Sequence, residues 1–128
     1  MIMNPIVPPE YEDDYRDWKM SLGLACNGFV FLTGLTGARS DGSIATDPET
    51  QFREAFRNVE SVLEHGGLSF ADVVEMTTYH VHLHQHLAVF RKVRESFVVE
   101  PYPAWTAIEV VGLVEVGALV EIRAIAHQ

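Results

Sequence analysis

Ala118-Leu119-Val120-Glu121-Ile122-Arg123-Ala124-Ile125-Ala126 (ALVEIRAIA) is the stretch whose reading decides the fold. Its β-rich composition predicts a strand. Successive side chains of a strand point to opposite faces, and here apolar residues fall on both: Leu119, Val120, Ile122, Ala124, Ile125 and Ala126. Such a strand belongs in a sheet that is covered on both sides. Glu121 and Arg123 stand inside it, where a charge is costly unless it is paired or functional.

Working outward, a glycine-containing turn from Gly112 to Gly117 leads back to a second strand, Ala104 to Val111. It lies within PAWTAIEV (Pro103–Val110), and Trp105, Ala107 and Glu109 share one of its faces. Before it, Leu87, Phe90, Val93 and Phe97 recur at helical spacing and predict a helix running to about Val99, closed off by Pro101 and Pro103. Ala71 to His82 is rich in Val, Thr and Tyr and reads as a strand. Asp47-Pro48-Glu49 is a helix start: Asp47 can cap, proline suits the first helical position, and Glu49 favours the positive end of the dipole. Phe52, Ala55, Phe56, Val59, Val62 and Leu63 continue that helix until His65, Gly66 and Gly67 end it. Gly34, Gly37, Asp41 and Gly42 mark a loop. Asn27-Gly28, between two apolar runs, predicts a hairpin with a type I′ turn joining strands Trp18–Cys26 and Phe29–Thr33. Residues 1–17, rich in proline and acidic residues, read as an extended lead-in.

The predicted order is β-β-α-β-α-β-β, an α+β fold with both helices on one face of a mixed sheet. Residues 1–128 form one domain. Two helices account for one face of the sheet, so a second copy of the chain is the expected cover for the other.

The net charge of −9 sets the surface against phosphate backbones and anionic lipids, which argues against a nucleic-acid partner. The one dense basic cluster is Arg91, Lys92 and Arg94. A single cysteine, Cys26, permits no intrachain disulfide and suits a reducing compartment. The N-terminus has the pattern of no secretory leader, and no apolar run reaches the length of a membrane span. The expectation is a cytoplasmic protein.

Several constellations admit two readings. His80, His82, His84 and His86 alternate over seven residues. They could converge on a metal, or they could leave a strand for a surface loop; no HExxH helix or Cys/His ligand set supports the metal. Cys26 lacks a local activating base and reads as a structural thiol. No Ser-His-Asp signal, P-loop or dinucleotide fingerprint occurs. Glu121 is either half of a salt bridge or a general acid/base whose pKa is set by partial burial. Arg123 is a candidate partner for Glu109 on a neighbouring strand, which would leave Glu121 unpaired.

From Trp18 to its end the chain resembles the RidA family (reactive intermediate deaminase A, also called YjgF). The resemblance rests on an ordered set of residues: NGFVFLTG from Asn27; Gln51, Ala55, Asn58 and Val62-Leu63 in the first helix; Gly66-Gly67-Leu68 followed by Val73 to Thr78; PAWTAIEVVGL from Pro103; and ALVEIRAIA. It implies a chorismate-mutase-like fold, a homotrimer and small-molecule clefts between subunits. It also implies hydrolysis of reactive enamines and imines to ketoacids and ammonia, chemistry that needs neither cofactor nor metal. Members have been described as ribonucleases and translation inhibitors too, and a non-catalytic binding or regulatory trimer is the other reading of the same clefts.

Carried over by position, the family's catalytic-type glutamate matches Glu121. The backbone-contact glycine matches Gly34, with Thr33 before it, and the aromatic near the start of the first strand matches Trp18. Where the family's deaminases carry an arginine after Pro-Ala and a cysteine two residues later, this chain has Trp105 and Ala107. An indole has one N–H and no charge, so it cannot form the bidentate, charge-assisted pair that a guanidinium makes with a carboxylate. In the second helix Arg91 stands where the family has an asparagine near the cleft. It would either restore the missing positive charge or extend into water beside Lys92 and Arg94.

Overall fold

A computed structural model describes residues 2–128. Its elements in chain order are β1 (Met3–Ile6), α1 (Glu12–Asp17), β2 (Gly23–Cys26), β3 (Phe29–Leu32), α2 (Pro48–His65), β4 (Val73–His80), α3 (Leu83–Glu95), β5 (Ala104–Glu109) and β6 (Val120–His127). One six-stranded sheet runs β1-β2-β3-β6-β4-β5. All pairs are antiparallel except β4 with β5, which α3 connects as a crossover.

The local signals behave as their chemistry requires. Asn27 and Gly28 both take positive φ, 54° and 81°, as a type I′ hairpin turn demands. Asp47 caps α2 by accepting from the Thr50 backbone N–H at 3.0 Å, with Pro48 in the first turn. The α2 stripe of Phe52, Ala55, Phe56, Val59, Val62 and Leu63 is wholly buried, each large side chain contributing roughly 1.5–3 kcal/mol. Phe90 from α3 meets Phe52 at 5.3 Å and Phe56 at 5.5 Å between ring centroids, which locks the two helices together over the sheet.

Along β6, Val120, Ile122, Ala124 and Ala126 are buried beneath the helices, while Glu121, Arg123 and Ile125 lie half-buried on the other face. That second face carries Phe31 beside Ile125 and Phe29 beside His127. Phe29 and Phe31 each remain 39% exposed, so the described chain covers this face only in part.

The first residues depart from the sequence reading. Residues 1–17 are not an extended lead-in: β1 adds to the sheet edge against β2, Pro9–Tyr11 make a 3-10 turn, and α1 follows. Met1 lies outside the described residues. Trp18 sits just past the end of α1 rather than at the start of a strand, and β2 begins only at Gly23. Helix α3 starts at Leu83 and ends at Glu95, so His84 and His86 belong to a helix and not to a surface loop. The expected Arg123–Glu109 pair does not form, because β4 lies between β5 and β6. Arg123 aligns with Thr77, and Glu109 aligns with His80. The Glu109 carboxylate instead accepts from the Leu83 backbone N–H at 3.1 Å and serves the N-terminus of α3 in place of a side-chain cap.

Candidate functional site

Glu121 owes its setting to a short irregular pairing. After β3 the chain turns so that Leu35 bonds both ways with Ile122, at 2.9 and 2.8 Å. This lays Gly34 directly against the Glu121 side chain. A Cβ added at Gly34 would lie 2.8 Å from Glu121 Cδ and nearer still to its carboxylate oxygen. Any larger residue at position 34 would displace the carboxylate.

One face of α2 holds the loop that follows. Asn58 donates to the carbonyls of Thr36 and Ala38 at 2.8 and 2.9 Å. Glu54 accepts from Nε and Nη2 along one edge of the Arg39 guanidinium, each at 2.8 Å. Gln51 is buried, donates to the carbonyls of Ala45 and Gly117, and accepts from the Leu119 N–H at 2.6 Å. Gln51 thus ties the loop before α2 to the turn that leads into β6, with its amide nitrogen and its amide oxygen both engaged.

These elements enclose a pocket of about 770 Å³. Glu121, Thr33 and Gly34 form its floor; Tyr11, Asp14 and Trp18 come from α1 and its flanks; Asn58 and Arg39 close one side; Val114 and Glu115 reach over from the β5–β6 connection. The volume suits a small organic ligand. Within it the Glu121 carboxylate has no protein hydrogen-bond partner among the described residues. Burial holds its pKa above the ordinary carboxylate value, and the nearby Glu115 charge adds to the rise. Tyr11 is pushed up to about 12 by burial, then by Glu10 and Asp14. Arg39 is committed to Glu54, so the free charges facing the pocket are carboxylates. An unpaired carboxyl group poised toward neutrality can take or give a proton to a bound molecule.

Four of the sequence-predicted residues therefore meet in one place: Trp18, Thr33, Gly34 and Glu121. The other three do not join them within one chain. Trp105 aligns with Met76 on the helix side of the sheet, opposite to Glu121. Its ring lies 6.0 Å from Phe90, and its N–H donates to Thr78 Oγ1 at 2.9 Å. Ala107 is half-buried on the same side, aligned with Thr78. Arg91 is exposed on α3 and does not line the pocket.

The histidine run diverges. His80 is buried, its Nε2 is 2.7 Å from Thr78 Oγ1, and burial lowers its pKa to about 4. His82 occupies a left-handed conformation before α3, His84 is exposed, and His86 packs toward Phe52. Among the described residues no group of three or more His, Cys, Asp or Glu is placed to hold a metal ion.

Tyr11, Glu10 and Asp14 were hidden from the sequence reading because residues 1–17 looked extended. The signal was present: Pro8-Pro9 followed by Glu10, Glu12, Asp13 and Asp14 is a helix-start composition.

An α+β sheet with helices on one face and a ligand-sized pocket around an unpaired glutamate defines the class of protein. The profile described as Endoribonuclease L-PSP matches residues 18–128, and the chain belongs to that family, the RidA/YjgF family that its sequence resembles. It is 32% identical over 114 residues to the RutC family protein YjgH of Escherichia coli, covering 88% of this chain and 86% of that one. The solved structure of protein YJGH superposes with a TM-score of 0.88 at 29% identity, over 99% of this chain and 97% of that one. Escherichia coli TdcF with bound serine superposes with a TM-score of 0.78 at 26% identity, over 85% and 87% of the two chains. No helix among the described residues is long and apolar enough to cross a membrane.

Proposed function

We propose that this protein hydrolyses a small enamine or imine at Glu121, in clefts between the copies of a homotrimer. The observation that carries the reading is the Glu121 carboxylate itself: half-buried, unpaired, raised in pKa and set over Gly34 in a pocket of ligand size. An enamine takes a proton on its β-carbon to give an iminium. Glu121 then accepts a proton from water as the water oxygen bonds to the iminium carbon. The proton passes to nitrogen, the C–N bond breaks as the Glu121 carboxylate takes the hydroxyl proton, and ammonia leaves behind a carbonyl group. One carboxyl group that exchanges its proton serves each step.

Assembly is supported by the uncovered sheet face with Phe29, Phe31 and Ile108, and by the exposed Val111, Val114 and Val116 of the β5–β6 connection. TdcF, a structural relative, has been solved with serine, an amine-bearing small molecule, which agrees with a small-molecule role. The test is ammonia release from freshly generated 2-aminoacrylate. The wild type should release ammonia faster than buffer, and Glu121→Ala should lose at least about hundredfold of that rate. Wild-type release equal to buffer would overturn the enzymatic reading.

The replacement of the family's arginine and cysteine by Trp105 and Ala107 favours a second reading, a binding or regulatory trimer without turnover. Saturable thermal stabilisation by a ligand that is not consumed would be its signature. A ribonuclease-like role is disfavoured by the pocket carboxylates Glu10, Asp14, Glu115 and Glu121, which would repel a phosphate chain.

A further inference from the structure

The pocket around Glu121 has one wall that differs in origin from its floor. The floor comes from residues 18–128, the segment that the family profile matches, whereas Glu10, Tyr11 and Asp14 precede that segment. β1 pairs with β2 at the sheet edge, and the chain then turns through Pro9–Tyr11 into α1, which brings these side chains to the pocket. Tyr11 packs against the core. Trp18, just past α1, lines the same wall and is 64% exposed, so its indole face remains available to a bound group. One short helix and its flanks thus supply two aromatic rings beside two carboxylates.

The cations near this wall are engaged elsewhere. Arg16 pairs with Asp13 and Asp17, Lys19 donates to the Arg16 carbonyl at 3.1 Å, and Arg39 is held by Glu54. Asp13, Asp17 and Glu54 do not line the pocket. The carboxylates that do, Glu10, Asp14, Glu115 and Glu121, form no ion pair among the described residues. Glu10 accepts from Ser61 Oγ at 2.9 Å, a neutral donor that leaves its charge in place. The Tyr11 phenol is pushed up to about 12 by burial and then by Glu10 and Asp14, so it stays neutral. A cleft lined by one sign of charge concentrates ligands of the opposite sign and repels those of its own. The faces of Trp and Tyr attract the same cations. A ligand carboxylate would meet no uncommitted cation among the lining residues. The iminium formed when an enamine is protonated is itself a cation, so this field also favours that step.

We infer that Glu10, Tyr11, Asp14 and Trp18 form an ammonium-binding wall of this pocket, and that its ligands are small amines and imines that carry positive charge and no carboxylate. The inference rests on the reading of the Glu121 pocket as a small-molecule site, but not on turnover there. 2-Aminoacrylate, an enamine that bears a carboxylate, then belongs to the slower substrates.

The experiment measures binding to the full-length protein by isothermal titration calorimetry, with three probes on one skeleton: serinol, a cation; serine, a zwitterion; and glycerate, an anion. Serinol should bind at least about tenfold more tightly than serine, and glycerate most weakly. Added salt should weaken serinol. Asp14→Asn should weaken serinol about fivefold and Glu10→Gln about twofold, since Asp14 is half-buried and Glu10 exposed, and neither should weaken glycerate. Trp18→Leu should weaken serinol about threefold. Serine or glycerate bound as tightly as serinol would overturn the inference, and so would no binding by any of the three at millimolar concentration. Serinol affinity unchanged in both charge variants would overturn it as well. Should Asp14→Asn not fold, the order of the three probes on the wild type and the effect of Glu10→Gln still decide the matter. A serinol preference without ammonia release from 2-aminoacrylate would retain the ammonium wall and reject the hydrolase. Ammonia release with serine bound as tightly as serinol would do the reverse.

Discussion

Glu121 and Arg94 lie on opposite sides of this sheet, carry opposite charges, and form no ion pair among the described residues. On the open face, Glu121 stands over Gly34 in a pocket of carboxylates, its pKa raised by burial and by Glu115. On the helix face, Arg94 lies over Trp105 and forms no ion pair among the described residues. One site is built from a glycine that leaves room, the other from an indole that fills it. Each is supported by a strand pair and a helix. The contrast teaches that a single chain sets an unpaired carboxyl group and a ring-stacked guanidinium on opposite sides of one sheet. On the trimer proposal, a neighbouring copy is what could bring them together.

The comparison can be broken most forcefully on the helix face. Phe90 touches Trp105, His80, Phe52 and Phe56, so Phe90→Ala should cost about 3–5 kcal/mol by urea unfolding and loosen the Arg94 stack. A cost below 1 kcal/mol would mean that this platform is not packed as described.

The same face should respond to acid. The His80 pKa falls from an ordinary 6.5 to about 4 on folding, because burial disfavours the charged ring. The folded state therefore binds fewer protons than the unfolded one between those values. The contribution is fully present above pH 6.5 and is lost as pH falls toward 4, on the order of 2–3 kcal/mol. Unfolding curves across that window should show the loss, and His80→Phe should flatten it; an unchanged slope in the variant would assign the pH dependence elsewhere.

On the open face, Gly34→Ala should push the carboxylate aside and lower ammonia release about tenfold, roughly 1.4 kcal/mol. Full activity would show that Glu121 does not work from the position described. The smallest effect is expected from Glu115→Gln. Removing its charge takes away one of the two causes that raise Glu121, so the acid limb of the pH–rate profile should move to lower pH. A limb that moves up, or stays, would leave burial as the whole cause.

Much of the fold was legible because its signals are local. The Asn27-Gly28 turn, the Asp47-Pro48 helix start and the α2 stripe each follow from a few adjacent residues. Residues 1–17 were misread because proline and acidic residues suit both an extended segment and a helix start, and β1 acquires its form only by pairing with β2. The site was legible in part. Glu121 and Gly34 could be named, but Tyr11 and Asp14 could not. Arg94 could not be told from Arg91 and Lys92, since three neighbouring cations on a helix differ only in what each one faces.

By itself the sequence determined the ends of α2, the hairpin and the family, because capping, turn geometry and periodicity act within a few residues. It also determined that Glu121 would be a costly charge in an apolar strand. Only the tertiary structure decided which charges lack partners. Placing β4 between β5 and β6 separates Arg123 from Glu109, and the pairing of Leu35 with Ile122 sets Glu121 over Gly34. Packing α3 over β5 lays Arg94 on Trp105. Strand order and helix docking are set by long-range burial, and long-range burial decides whether a charge meets an opposite charge, water or neither.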